Sequence, residues 1–288
     1  MFPPEIQPVI DELLPLCRAL GEGKYAVSIG GSYGKRTFDA ASDLDFRLFC
    51  ERRSDDPAAS AALQVAIERW AQKGVIIDGC WVRTIADIEA QLDRWEAGEG
   101  EPIDLVWAIW GYYVVTDAYN QAVIEDPYGV LAGWRERLST YSPRLKQAIL
   151  DKHLRSLRYW RPDYHYLHKV EQGDVVFLAS ITAHLVHNTL QVLFALNETY
   201  YPGDGNNLHF VRHFEVAPER AVERIENILY PGKGPEAFTV QYTELIALID
   251  DIERLVPADL SAHTKRDWMA TGDGETDAGQ VIGGPTAH

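Results

Sequence analysis

Val27-Ser28-Ile29-Gly30-Gly31-Ser32-Tyr33-Gly34-Lys35-Arg36 and, six residues on, Asp43-Leu44-Asp45-Phe46-Arg47-Leu48-Phe49 form the stretch from which the fold is read. The two apolar runs read as strands, and the glycine pair between them as a tight turn. Side chains two apart on a strand share a face, so Asp43 and Asp45 project together while Leu44 and Phe46 enter a core. Two carboxylates this close repel, and both stay ionised favourably only where a cation sits between them. Paired hard oxygen ligands suit Mg²⁺, which binds through one or two carboxylates plus substrate phosphates. The glycines allow close approach to the backbone, and Ser32 opens a short helix whose exposed N–H groups can hold phosphate.

Working outward, residues 5–20 place Ile6, Ile10, Leu13, Leu14 and Cys17 at helical spacing, and Pro15 is expected to kink that helix or shift its limits. Strands are expected at 25–29 and 44–50. The Ser-Asp-Asp-Pro loop at 54–57 caps a helix from about 58 to 72, Gly74 ends it, and residues 75–82 read as a third strand. The order is helix, strand, turn, strand, helix, strand.

Gly-Gly-Ser, ten residues, then Asp-Leu-Asp on a strand resembles the nucleotidyltransferase superfamily, the polymerase-β-like fold. The resemblance covers roughly residues 1–85. It implies a turn that cradles a nucleoside triphosphate and an Asp-x-Asp pair that holds two Mg²⁺ ions. Carried over, Gly30, Gly31 and Ser32 bind the nucleotide, Asp43 and Asp45 bind metal, and Lys35 or Arg36 adds a positive charge beside the phosphates. A third carboxylate is implied on the third strand. Asp78 is the acidic residue there, expected as a third metal ligand and as a base for the acceptor proton. Asp104 is the alternative.

Further along, Thr84 caps a helix at 85–95, and residues 103–117 are dense in tryptophan and tyrosine. Val114-Val115-Thr116-Asp117 reads as a closing strand and Asp126-Pro127-Tyr128-Gly129 as a helix start. From 143 onward the pattern is helical: a basic-rich helix at 144–161, a break at Pro162, a helix at 164–172, an apolar stretch at 174–200, and helices at 217–229 and 236–256. His184, His187 and Asn188 read as hydrogen-bonded core residues, and the cations of 144–161 as a solvated face. The expected architecture is α+β: an N-terminal nucleotidyltransferase-fold mixed sheet with flanking helices at 1–141, an all-α helical bundle at 142–260, and a flexible tail at 261–288.

One more segment adds to the resemblance. Leu193-Phe194-Ala195-Leu196-Asn197, followed by Tyr200-Tyr201-Pro202-Gly203, is similar to a segment of small-molecule nucleotidyltransferases: the domain-of-unknown-function-4037 proteins and the lincosamide-type resistance enzymes. By itself it is a helix stop and a turn, with Asn197 as an amide tying the two.

Composition bounds the function. Formal net charge is −16, from 43 acidic against 27 basic residues. Such a surface repels a polyanion, because nucleic-acid affinity rests on lysine and arginine neutralising phosphates. It suits a small, even cationic, acceptor. Cys17, Cys50 and Cys80 have neither disulfide nor zinc spacing and read as buried thiols of a reducing, cytoplasmic compartment. No apolar run reads as a membrane span and the N-terminus lacks a signal pattern. The resemblance therefore implies an Mg²⁺-dependent enzyme moving a nucleoside monophosphate from a nucleoside triphosphate to a hydroxyl of a small molecule, such as an aminoglycoside or lincosamide antibiotic. The acceptor is expected between the two domains, with Trp81, Trp107, Tyr164 and Tyr166 as its walls. The alternatives are an enzyme modifying protein or tRNA, as toxins do, and a silent nucleotide-binding protein.

Overall fold

The computed structural model describes residues 2–203 and 205–261 and has a mixed α+β architecture. The first half alternates helix and strand: α1 (Gln7–Arg18), β1 (Gly21–Ile29), α2 (Gly31–Lys35), β2 (Leu44–Arg53), α3 (Pro57–Ala71), β3 (Ile77–Thr84) and α4 (Ile85–Glu96). A hairpin of β4 (Ile103–Leu105) and β5 (Ala108–Tyr112) follows, then α5 (Val114–Tyr119), β6 (Ala122–Glu125) and α6 (Val130–Arg137). The described remainder is helical: α7 (Pro143–Trp160), α8 (Tyr164–Gln172), α9 (Val175–Leu196), α10 (Asn207–Val211), α11 (Ala221–Leu229) and α12 (Pro235–Leu255). The tail expected at 261–288 lies, but for Ser261, outside the described residues.

Four strands make one mixed sheet in the order β3-β2-β1-β6, with β1 antiparallel to β2 and β6 and with β2 parallel to β3. Alternation on the strands decides its two faces. Val27 and Ile29 of β1 and Leu44, Phe46 and Leu48 of β2 point to one face and pack on Val9, Ile10 and Leu13 of α1 and on Ala59, Leu63 and Ala66 of α3. Asp45, Arg47 and Phe49 take the other. There Phe49 meets Trp134 of α6 edge-on, with centroids 5.0 Å apart.

Local signals set the starts of α3 and α4. Asp56 accepts from the Ala58 N–H at 2.9 Å and Pro57 opens α3, while Thr84 accepts from the Asp87 N–H at 3.1 Å and starts α4. The helix α1 runs through Pro15. The segment 114–117 differs from its β-rich reading: it is helical, and the closing strand is β6. Val114, Val115 and Thr116 are all buried, so burial around a helical turn overrides the β propensity of Val-Val-Thr.

The chain divides into two compact units, residues 1–149 with 193–216, and residues 150–192 with 217 onward. In the first, Asn197 holds the chain return, donating from Nδ2 to the Val216 carbonyl at 2.8 Å and accepting from the Val216 N–H at 3.0 Å. In the second, α12 packs on α8 and α11. Arg158 and Arg161 at the end of α7 are ion-paired with Glu253 and Asp250 of α12; Arg158 is part-buried, while Arg161, like Arg144, Lys152 and Arg155, stays exposed as a solvated face requires. Of the described helices α9 is long and apolar enough to cross a membrane, and 61% of its most apolar window is buried, as in a core helix.

Candidate active site

A cavity of about 770 Å³ opens in the first unit beside the β2–β3 pair. Asp43, Asp45 and Asp78 line it from the strands, Gly31 and Lys35 from the turn and α2, and Trp107 and Tyr112 from the β4–β5 hairpin. Asp117 and Asn120 come from the end of α5, and Pro202 and Gly203 from the return after α9. The parallel register sets Asp45 beside Gly79 and Arg47 beside Trp81, which brings Asp78 to the same end of the sheet as the Asp43–Asp45 pair.

Three glycines permit the close approach of the turn. The Gly30 N–H donates to the Asp45 carbonyl at 2.9 Å and anchors the turn to β2. Gly31 has φ +53°, and a Cβ there would overlap the Asp45 carboxylate. A Cβ on Gly34 would strike the Asn120 carbonyl. Glycine pairs without this neighbour are loop punctuation; here the backbone forms the floor beneath a carboxylate.

The charges at that floor are unequal. Burial first, then Asp43, Asp78 and Asp117, raise the Asp45 carboxyl above the usual carboxylate range, against the pull of Arg47. A buried carboxylate repelled by three others gains from a cation at its side. Among the described residues no three His, Cys, Asp or Glu side chains gather into a protein-only metal cage. The donor set is instead a pair of hard carboxylates with a third in the same cavity lining. Oxygen donors of this kind, few in number, are those that suit Mg²⁺.

Behind Asp45 lies a buried network that the sequence reading missed. Arg47, 8% exposed, sets Nη1 3.7 Å from Asp45 Oδ1 and Nε 3.6 Å from Asp117 Oδ2. Arg83 donates to the Tyr112 hydroxyl at 2.5 Å and lies 3.7 Å from Asp117 Oδ2, and that hydroxyl donates to Asp117. Burial lowers the Arg47 pKa, but Asp117 and Asp45 more than offset it and the guanidinium stays charged. Burial, then the Asp117 charge, pushes Tyr112 well above an ordinary tyrosine, so it remains a donor. Strand parity could have found Arg47, since it follows Asp45 by two on β2. Nothing local points to Asp117, which reaches the site from a segment read as a strand.

The remaining expected residues fall in different places. Lys35 lines the cavity. Ser32 does not; its Oγ is buried without a hydrogen-bond partner, where α2 packs against β2 and β6. Arg36 is exposed with φ 58° at the C-cap of α2, also away from the lining. Asp104 is exposed on β4 and does not line the cavity. Trp81 and Trp107 belong to the cavity wall, whereas Tyr164 and Tyr166 sit on α8 in the second unit. The histidines there make hydrogen bonds: His153 Nδ1 is 2.7 Å from Asn188 Oδ1, and His184 Nε2 is 3.0 Å from Ser156 Oγ; His187 and Asn188 are buried as expected, but His184 is exposed and not a core residue. Cys17, Cys50 and Cys80 are all free thiols, Cys80 part-exposed.

Comparison with known families places residues 107–205 in a match to a domain of unknown function, DUF4037. The matched segment begins at Trp107 on the hairpin and ends just beyond Gly203, and it supplies half of the cavity lining, including Tyr112, Asp117 and Asn120. The Tyr200–Gly203 return is held there by the Thr116 hydroxyl, which donates to the Tyr201 carbonyl at 2.6 Å, and by Asn207, which donates to the Gly203 carbonyl at 3.1 Å. No curated protein matches the chain.

Proposed function

We propose that the chain is a cytoplasmic Mg²⁺-dependent nucleotidyltransferase that moves a nucleoside monophosphate from a nucleoside triphosphate to a hydroxyl of a small molecule and releases pyrophosphate. The observation that carries this reading is that Asp43, Asp45 and Asp78 all line one cavity, with Gly31 close against the Asp45 carboxylate. Asp43 and Asp45 would hold the metal, with Asp78 as third ligand or as the base that takes the acceptor proton. Two Mg²⁺ ions bound there would supply charge neutralisation on the phosphates and acidify the attacking hydroxyl.

The chain's own groups have distinct tasks. Lys35 lies on the cavity wall and would offer a point charge to the phosphates. Gly31 makes room for the Asp45 carboxylate and lines the cavity, where its backbone would face the triphosphate. Arg47 is held by Asp117, so it counterbalances Asp45 without following it when the carboxylate turns to a ligand. The acidic total and the acidic cavity favour a small neutral or cationic acceptor, antibiotics included, over nucleic acid.

The test is pyrophosphate release with Mg²⁺, each nucleoside triphosphate and a panel of hydroxylated small molecules. Wild type should release pyrophosphate, and Asp43→Ala and Asp45→Ala should each lower the rate by about 10²–10³-fold or more. Label from the nucleotide should appear in the small molecule. Its appearance in protein or RNA, or a wild type that binds neither Mg²⁺ nor triphosphate in titration, overturns the proposal.

A further inference from the structure

The cavity lining carries two kinds of group. Asp43, Asp45, Asp78 and Asp117 bring carboxylates, and Trp81, Trp107 and Tyr112 bring a cluster of rings. The three rings touch edge to face or tilted, with centroid separations of 4.9 Å for Trp81–Tyr112, 6.0 Å for Trp107–Tyr112 and 6.4 Å for Trp81–Trp107. Two of them already carry cations. The Arg47 and Arg83 guanidiniums stand 5.2 and 4.8 Å from the Trp81 ring, and Arg83 stands 5.2 Å from the Tyr112 ring. Among the described residues Trp107 carries neither a guanidinium nor a parallel ring on its face. It sits at the tip of the β4–β5 hairpin and leaves 60% of its surface in water while lining the cavity.

A large indole left open in this way offers a flat apolar surface suited to a planar ring. Continuity with the carboxylates says which ring. Asp45 reaches Arg47, Arg47 reaches the Trp81 face, and Trp81 meets Trp107, so a line of contacts joins the Asp45 carboxylate to the open indole. A nucleoside triphosphate has two matching parts, a polyanion at one end and a π-surface at the other. We propose that Trp107 is the platform on which the base of the nucleotide donor stacks. The assignment rests on the nucleotidyltransferase reading and replaces Trp107 as an acceptor wall. Stacking reads a π-face rather than a hydrogen-bond pattern, so the platform tolerates different bases and favours the larger purine surface.

The experiment compares MgATP, MgUTP and Mg²⁺–tripolyphosphate binding to the full chain by calorimetry, for wild type, Trp107→Ala and Trp107→Phe. Tripolyphosphate has the anionic end without the ring. The expected result is about tenfold or more weaker MgATP binding in Trp107→Ala, unchanged tripolyphosphate binding, and substantial recovery in Trp107→Phe. If Trp107→Ala leaves the ratio of ATP to tripolyphosphate affinity at its wild-type value, the platform is overturned while the nucleotidyltransferase reading stands. If it weakens both ligands equally, the hairpin is structural and the platform is equally overturned. If wild type binds neither ligand, the reading beneath it falls as well.

Discussion

Asp117 brings its carboxylate to two guanidiniums and a tyrosine hydroxyl with its side chain only 9% exposed. A buried charge of this kind is retained because its partners would be stranded without it. Asp117→Ala leaves Arg47 and Arg83 short of counter-charge inside the protein and should destabilise it by about 3–5 kcal/mol in urea unfolding. Asp117→Asn keeps an acceptor for Tyr112 and should cost less. An alanine variant within about 1 kcal/mol of wild type would show that the network adds little. At the same scale, Arg47 was readable from the parity of β2, but the partner that fixes it was not. Asp117 lies five positions after Tyr112, and the bend between β5 and α5 is what joins them.

The Gly-Gly turn and the strand after it act as one element. Gly31→Ala is expected to abolish Mg²⁺–nucleotide binding, because the new methyl takes the place of the Asp45 carboxylate. Gly74→Ala is the control. Its φ of +84° carries comparable backbone strain but nothing lies within 4 Å of the added Cβ. It should lose about 1–2 kcal/mol of stability and keep full nucleotide affinity. Equal loss of binding in both variants would mean that strain, not the approach to Asp45, is the defect. On the opposite face Leu48, fully buried between α1 and α3, should cost about 2–5 kcal/mol on truncation to alanine. The alternation of β2 thus separates substitutions that remove function from those that remove the fold. Alternation also explains the misreading of 114–117, where β-branched residues satisfy a helix because every side of it is covered.

At the scale of the whole molecule, the buried histidines of the second unit set a pH limit. Burial first, then the positive charge of neighbouring His153, His184 and Lys152, pushes His187 down to about 3. An unfolded histidine titrates near 6.5. The unfolded chain therefore takes up a proton that the folded one refuses. The contribution of a neutral His187 is complete above about pH 6.5 and shrinks as pH falls toward about 3, by up to about 1.4 kcal/mol per pH unit. His184 shifts downward too, from burial. Urea midpoints between pH 7 and pH 4 should fall more steeply for wild type than for His187→Gln. Parallel slopes would remove His187 as the titrating group.

By itself the sequence determined the alternation of helices and strands as far as α4, the pairing of Asp43 with Asp45 in the cavity lining, and the helical remainder from 143 onward. Each follows from periodicity, capping residues or turn chemistry within a few residues. Only the tertiary structure decided that Ser32 and Arg36 leave the cavity, that Asp78 joins it, and that Arg47, Tyr112 and Asp117 form a network behind it. It also decided that the return through Pro202 and Gly203 closes the wall. Those outcomes depend on which segments, tens of residues apart, the burial of their apolar faces brings side by side, and no local pattern encodes that distance.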